Sequence, residues 1–151
     1  MKEPILSCIL KYSLYAAFVI GLIMTVTLPL MIDAYAGLIG FGTLGQSYRA
    51  FIVPFLMVAA MPSLWIVLEM IGMMRSIPKD PFIMRNVRAL NRIGFIFFLL
   101  SAIFFVKCLF YISFLTLVCT FFFIGSGLFS FTLAALIRQS IVFREENDLT
   151  I

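Results

Sequence analysis

Residues 93–137 decide the fold: they read IGFIFFLLSAIFFVKCLFYISFLTLVCTFFFIGSGLFSFTLAALI and contain one charged side chain, Lys107. As one helix this stretch would reach roughly 65 Å, about twice the hydrocarbon core of a bilayer. It therefore has to fold back once. Because the long stem of Lys107 can reach a membrane interface, we place the reversal near residues 111–113. The stretch predicts two membrane-spanning helices, at residues 93–110 and 114–137.

Two further apolar runs precede this hairpin. Residues 12–32 are long enough to cross one hydrocarbon core. Residues 51–74 form another run, and a kink is expected in it because Pro54 and Pro62 each remove a backbone hydrogen bond. With 64% hydrophobic and 12% charged residues, the chain has more apolar surface than a water-soluble domain of 151 residues can bury. We predict an all-α membrane protein, a single domain built as a four-transmembrane-helix bundle.

The first apolar run also has to be weighed as a signal peptide. The Ala34-Tyr35-Ala36 sequence that follows it resembles a signal-peptidase site. The run is longer, however, than the roughly 7–15 apolar residues of a signal peptide. We therefore expect a retained helix.

The basic residues are distributed unevenly between the two sides of the predicted bundle. Of the 11 Lys and Arg residues, only Arg49 and Lys107 fall on the side of the 33–50 loop and the 111–113 reversal. Cytoplasmic loops of membrane proteins carry the excess of Lys and Arg. This distribution predicts that both termini and the loop between helices two and three lie in the cytoplasm.

The most basic segment contains a helical pattern of its own. Residues 81–92 are predicted to form a short helix in the membrane interface that runs into helix three. Its apolar face consists of Ile83, Val87, Leu90 and Gly94. Its basic face consists of Arg85, Arg88 and Arg92. The basic face is a candidate site for anionic lipid head groups, although anchoring of the helix already accounts for it.

Small residues recur at four-residue spacing on two of the predicted helices. Helix one carries Ala17, Gly21 and Thr25. Helix four carries Ser126, Ser130 and Ala134. Small side chains let helix backbones approach closely in lipid, and the two helices are antiparallel in the predicted topology. We therefore predict a close contact between helices one and four, although a chance stripe is an equal alternative.

Glu69 is the one acidic residue well inside a predicted span, about 7 Å from the end of helix two. An unpaired carboxylate there is costly. The candidate partners at similar depth are Arg138, Arg92 and Asn91. A structural ion pair is the favoured interpretation, because a transporter usually has several buried polar groups on facing helices. The alternative is a proton or cation coupling site.

Several chemical functions are disfavoured by composition and context. The chain has no His, and Cys8, Cys108 and Cys119 lie in or beside apolar runs without disulfide or metal-ligand spacing. Residues 40–45, GFGTLG, match the glycine string of dinucleotide sites, but they follow a membrane helix rather than a strand. No basic and aromatic platform for nucleic acid is present. We expect no enzyme activity, no cofactor, no metal and no nucleic-acid partner.

Parts of the sequence resemble a known bacterial membrane-protein family. These parts are Asp80-Pro81-Phe82, Asn86-Val87, Leu90-Asn91-Arg92-Ile93-Gly94 and the ending Glu145-Glu146-Asn147-Asp148-Leu149-Thr150-Ile151. They resemble the family catalogued as domain of unknown function 2975. The resemblance implies a small four-span protein of the bacterial cytoplasmic membrane, from a family often encoded beside small helix-turn-helix regulators. It implies no established activity and no catalytic residues.

Two functions of different classes follow from these observations. The first is a non-enzymatic interaction, regulatory or accessory (immunity-type) protein of the bacterial inner membrane, whose basic loop or C-terminal tail meets a cytoplasmic protein partner. The second is a small oligomeric transporter or channel that uses Glu69. The lipid bilayer is the expected partner in both, and assembly as a homo-oligomer is compatible with both.

Overall fold

The computed structural model describes residues 5–38, 45–76 and 82–148, and these residues contain four α-helices. They are α1 (Ile5–Leu38), α2 (Gln46–Met74), α3 (Met84–Phe110) and α4 (Phe114–Asp148). Each is long and apolar enough to cross a membrane. The prediction of an all-α chain with four helices long and apolar enough to span a membrane is confirmed, and this composition is that of a multi-pass membrane protein.

The α3–α4 hairpin reverses at residues 111–113, between Phe110 and Phe114. The Tyr111 N–H closes α3 by donating to the Lys107 carbonyl at 2.9 Å. At its other end α3 begins at Met84 and continues without a break, so residues 84–92 are its first turns, and their position in the membrane interface stays a prediction. A helix that runs directly into the apolar span loses no backbone hydrogen bonds at a junction.

The four helices pack in chain order, with α3 in a central position. α1 contacts α2, α2 contacts α3, and α3 forms the largest interface with α4. One apolar cluster joins Ala59 and Ile66 of α2 to Ile93 and Leu100 of α3. A second cluster joins Val87 and Leu90 of α3 to Ala134 of α4. α3 is therefore buried on two sides, whereas α1 and α4 flank the row.

The buried side of α4 follows the repeat of a left-handed helix pair. Eight of its buried or half-buried positions are separated by alternating steps of four and three residues: Thr116, Thr120, Phe123, Gly127, Ser130, Ala134, Ile137 and Ile141. An average spacing of 3.5 residues keeps one seam turned toward the neighbouring helix. This seam packs against α3 over most of the length of the hairpin.

Two glycines lie where the backbones of α3 and α4 come closest. A Cβ atom added at Gly127 would lie 3.0 Å from the Phe98 ring and 3.2 Å from the Gly94 carbonyl oxygen. A Cβ atom added at Gly94 would lie 3.2 Å from the Gly127 carbonyl oxygen. Just beyond this crossing the buried Ser130 hydroxyl donates to the Leu90 carbonyl at 2.8 Å. The close approach therefore favours glycine on both helices.

The expected contact between helices one and four is corrected by the structure. In the described ranges α1 makes no contact with α4, and Gly21 of α1 lies against Leu64 of α2 instead. Ser130 and Ala134 are buried, but their side chains face α3. The small face of α4 is thus already occupied by its hairpin partner.

The four-residue spacing of the predicted stripes also differs from the spacing of the residues that lie in the observed helix contacts. Ala17 is exposed, while Gly21 and Thr25 are half-buried. The Thr25 hydroxyl donates to the Gly21 carbonyl at 2.7 Å, within α1 itself. On α4, Ser126 is half-buried and the neighbouring Gly127 lies at the contact. Small residues were a correct indication of close packing, but the period and the partner were not those expected.

Prolines occur inside two helices with different outcomes. α2 is a single helix from Gln46 to Met74 with Pro54 and Pro62 inside it. Non-helical backbone angles occur instead in α1, at Met31 (φ −117°, ψ 19°), two residues after Pro29. The backbone irregularity therefore lies in α1, at one end of the helix row.

The two ends of the helix row are held by different contacts. At one end, here called the hairpin end, Tyr48 of α2 meets Tyr111 edge to face with ring centroids 5.2 Å apart, and Phe51 lies 5.6 Å from Phe110. At the opposite end, here called the termini end, the Arg75 guanidinium donates to the Tyr15 hydroxyl at 2.7 Å. Both ends of α2 are therefore fixed to neighbouring helices.

We predict that Gly127→Leu destabilises the protein by about 1–3 kcal/mol, because a side chain there overpacks the Gly94 backbone and the Phe98 ring. Gly125→Leu is the matched control, since a Cβ atom added at Gly125 meets no atom within 4 Å. The free energy of unfolding in mixed detergent micelles is the measurement. Equal stability of the two variants would contradict the described α3–α4 crossing.

Candidate functional site

Glu69 and Arg92 form a two-point ion pair between α2 and α3 near the termini end. The Arg92 Nε–H donates to Glu69 Oε1 at 2.7 Å, and Nη2 donates to Oε2 at 2.8 Å. The Trp65 indole N–H makes a longer contact of 3.4 Å with Oε1. The Glu69 side chain is 15% exposed and that of Arg92 is 54% exposed. The carboxylate is therefore enclosed, while the guanidinium reaches the surface.

This geometry is suited to holding two helices together. Bidentate guanidinium–carboxylate pairs are short, directional and stronger than neutral hydrogen bonds. Both oxygens of Glu69 accept hydrogen bonds from the same guanidinium, so the charge of the carboxylate is balanced by Arg92. The pair joins α2 to the central helix at a depth where an unpaired carboxylate would be costly.

The other two candidate partners of Glu69, Arg138 and Asn91, lie on a groove between α3 and α4. Arg138 and Asn91 line a groove of about 370 Å³ between the first turns of α3 and the last third of α4. Buried Val87 and Ala134 form its floor, and Gln139 lies on its wall. The structure thus brings Arg92 to Glu69 and places Arg138 and Asn91 on a surface groove.

The basic face of α3 is divided between two roles. Arg85 and Arg88 are exposed, and Arg92 is engaged by Glu69. On the opposite face Val87, Leu90 and Gly94 are buried, and Ile83 is half-buried. Arg85 and Arg88 are accordingly the members of this face available to a lipid head group or to a protein.

Sequence reasoning missed a buried polar contact at the α2–α3 connection. The Asn86 side chain is 1% exposed, and its Oδ1 accepts a hydrogen bond from the Ser76 hydroxyl at 2.7 Å. The Ser76 hydroxyl also contacts the Met73 carbonyl at 2.8 Å. Asn86 precedes Leu90 and Ile93 by four and seven residues, so its helical position on the buried face was the available indication. A buried amide there fixes how α2 leads into α3.

Lys107 occupies a second polar position, toward the hairpin end. Its ammonium donates to the Thr116 hydroxyl at 2.9 Å and lies 5.3 Å from the centre of the Phe55 ring. Lys107 and Thr116 also line a cavity of about 340 Å³. The half-buried side chain thus binds to the first turn of α4, near the hairpin end, and its placement at the membrane interface stays a prediction.

Metal chemistry has no site in the described ranges. Within residues 5–38, 45–76 and 82–148, no group of three or more His, Cys, Asp or Glu side chains could hold a metal ion. Residues 40–44 of the glycine string, and the tail residues Leu149-Thr150-Ile151, lie outside these ranges.

Comparison with known proteins gives one match. The model of a family described as Protein of unknown function (DUF2975) matches residues 45–151, which include α2, α3 and α4. No curated protein and no solved structure matches the chain. The matched range therefore covers α2, α3 and α4, and α1 lies before it.

We predict an asymmetric cost when the Glu69–Arg92 pair is broken. Arg92→Gln leaves an enclosed carboxylate without its partner and should lower the free energy of unfolding by about 1–3 kcal/mol. Glu69→Gln leaves a guanidinium that reaches the surface and should cost less than about 1 kcal/mol. The double variant should lie near Glu69→Gln. Unfolding of all four proteins in mixed micelles forms the cycle, and a larger cost for Glu69→Gln than for Arg92→Gln would refute the asymmetry.

Proposed function

The chain belongs to the family described as Protein of unknown function (DUF2975), and on that premise we propose that it is a non-enzymatic regulatory or accessory protein of the bacterial inner membrane. In this proposal both termini are cytoplasmic, and the protein binds an intracellular protein partner at its termini end. The distribution of Lys and Arg supports the orientation, because Arg85, Arg88 and Arg138 all lie at that end.

The observation that carries the proposal is the groove between α3 and α4. It has an apolar floor and a polar wall, with Asn91, Arg138 and Gln139 beside buried Val87 and Ala134. α4 does not stop at the groove but continues as a helix to Asp148, about 15 Å beyond Arg138. A helix that continues past the apolar span gives the groove a rigid wall outside the hydrocarbon core.

The chemistry of the groove indicates the kind of partner. An apolar floor beside the exposed Arg138 suits an amphipathic acidic segment, which places apolar side chains on the floor and a carboxylate on Arg138. Arg85 adds charge on α3 and speeds the encounter with such a segment. The partner proposed is thus a protein with an acidic, amphipathic helix or strand.

A transporter or channel that uses Glu69 remains the second candidate in function. What favours it is the position of Glu69 inside an apolar span. What weighs against it is the bidentate contact with Arg92, which occupies both carboxylate oxygens. The two candidates therefore differ in whether Glu69 or the α3–α4 groove is required for activity.

Site-specific photocrosslinking in the native membrane tests the proposal. A photoreactive amino acid at Gln139, in the groove, should capture one protein reproducibly, whereas the same group at exposed Phe121, in the apolar part of α4, should capture none. The captured protein is then purified, and its binding to the detergent-solubilised protein is measured.

Two matched variants decide whether the groove carries that binding. Ala135→Trp fills the groove and should weaken binding at least tenfold. Leu136→Trp, at an exposed position that does not line the groove, should leave it unchanged. Binding that survives Ala135→Trp contradicts the proposal, as does proton or ion flux in liposomes that is abolished by Glu69→Gln.

A further inference from the structure

We propose that the cavity at the hairpin end is a binding site for one acyl chain of an anionic phospholipid, with the lipid phosphate on the ammonium of Lys107. The cavity of about 340 Å³ lies between α1, α2 and the α3–α4 hairpin. It is separate from the α3–α4 groove and from the Glu69–Arg92 pair. Its volume falls within the roughly 300–1,000 Å³ of small-molecule sites.

The cavity is open toward the bilayer because of the way the helices pack. Both α1 and the first turn of α4 contribute lining residues, among them Leu28 and Leu115. Within the described ranges α1 and α4 do not contact one another. We infer that the gap between these two helices is the lateral opening of the cavity, since lipid surrounds the helices in a membrane.

The polarity of the lining changes along the cavity in the direction expected for a lipid. Toward the hairpin end the lining contains Lys107, Ser113 and Thr116 together with Tyr48, while the Tyr35 hydroxyl is hydrogen-bonded to Thr27 at 2.7 Å. Aromatic hydroxyls and charged side chains are typical of the head-group level of a bilayer. The wall is thus polar on the side where a phosphate would lie.

The deeper part of the cavity is apolar. On α1 the lining extends from Ala36 back to Met24, about 18 Å along the helix axis. Leu28 on α1 and Leu56 on α2 line this deeper part. An acyl chain that runs parallel to the helices would contact only hydrocarbon there.

Charge selects an anionic head group. An ammonium has three donors, and the hydrogen-bond acceptor of Lys107 among the described residues is the Thr116 hydroxyl at 2.9 Å. The acidic residue nearest the hairpin end is Asp33, which is bound to Arg49 at 2.8 Å, and residues 39–44 contain no acidic side chain. Lys107 is thus a half-buried cation without a carboxylate, in a place where charge is costly unless paired.

Native mass spectrometry of the purified full-length protein tests this assignment. The delipidated protein is mixed with equal amounts of dioleoyl phosphatidylglycerol and dioleoyl phosphatidylcholine, which share acyl chains and differ in net charge. Wild type should retain the anionic lipid about fivefold more than the neutral one. Lys107→Gln should bring the ratio close to one. Lys11→Gln, which removes a lysine at the termini end, should leave the ratio unchanged.

A second pair of variants tests the apolar part of the site. Leu28→Trp fills the cavity and should prevent retention of both lipids, whereas Leu30→Trp, whose position on α1 is 82% exposed, should retain the anionic lipid like wild type. Circular dichroism and size-exclusion chromatography check that both variants are folded.

The proposal is overturned if wild type shows no preference for the anionic lipid, or if the preference survives Lys107→Gln. In the latter case the exposed arginines of α3 would account for it. Binding of oleate that depends on Lys107, without retention of phosphatidylglycerol, would also overturn it and assign the site to free fatty acids.

Discussion

The structure depends on the close approach of α3 and α4 at Gly94 and Gly127. In lipid, helices gain no hydrophobic free energy from leaving the solvent, so backbone proximity and hydrogen bonds have to stabilise their association. Glycine on both helices allows that proximity, and the Ser130 hydroxyl adds a hydrogen bond to the Leu90 carbonyl. α2 packs against α3 through a second apolar cluster, and α1 has α2 as its neighbour.

The charged side chains of the helices differ in how they are paired. Glu69 and Arg92 neutralise each other and join α2 to α3, while Asp33 and Arg49 do the same between α1 and α2. Lys107 differs from these pairs, since its contacts are a hydroxyl and an aromatic ring. The two ion pairs hold neighbouring helices together. The groove at the termini end and the cavity at the hairpin end are the proposed binding sites, for a protein segment and for a lipid respectively.

Much of the fold could be predicted from the sequence, because a bilayer imposes a length on each apolar run. The 45 residues from Ile93 to Ile137 are too long for one span, and a reversal at residues 111–113 also leaves Lys107 near a helix end.

The order of helix packing could not be predicted from the lengths of the apolar runs. Small residues show that backbones approach, but they do not name the partner. The contact at Gly127 was not predicted, because the four-residue spacing that includes Ser130 and Ala134 reaches Ser126 and not Gly127. At the candidate site, the sequence predicted three possible partners for Glu69. It could not identify the correct one, because the depth of a residue in the membrane does not fix the direction of its side chain.

Disulfide crosslinking tests most directly whether the helices pack in chain order around α3. In a cysteine-free background, cysteines replace Gly21 and Leu64 in one protein and Gly21 and Ser130 in another. The first pair should crosslink rapidly in native membranes, since a Cβ atom at Gly21 lies 3.1 Å from the Leu64 side chain. The second should not crosslink, because Ser130 faces α3. A strong crosslink between Gly21 and Ser130, with a weak one to Leu64, would contradict the account.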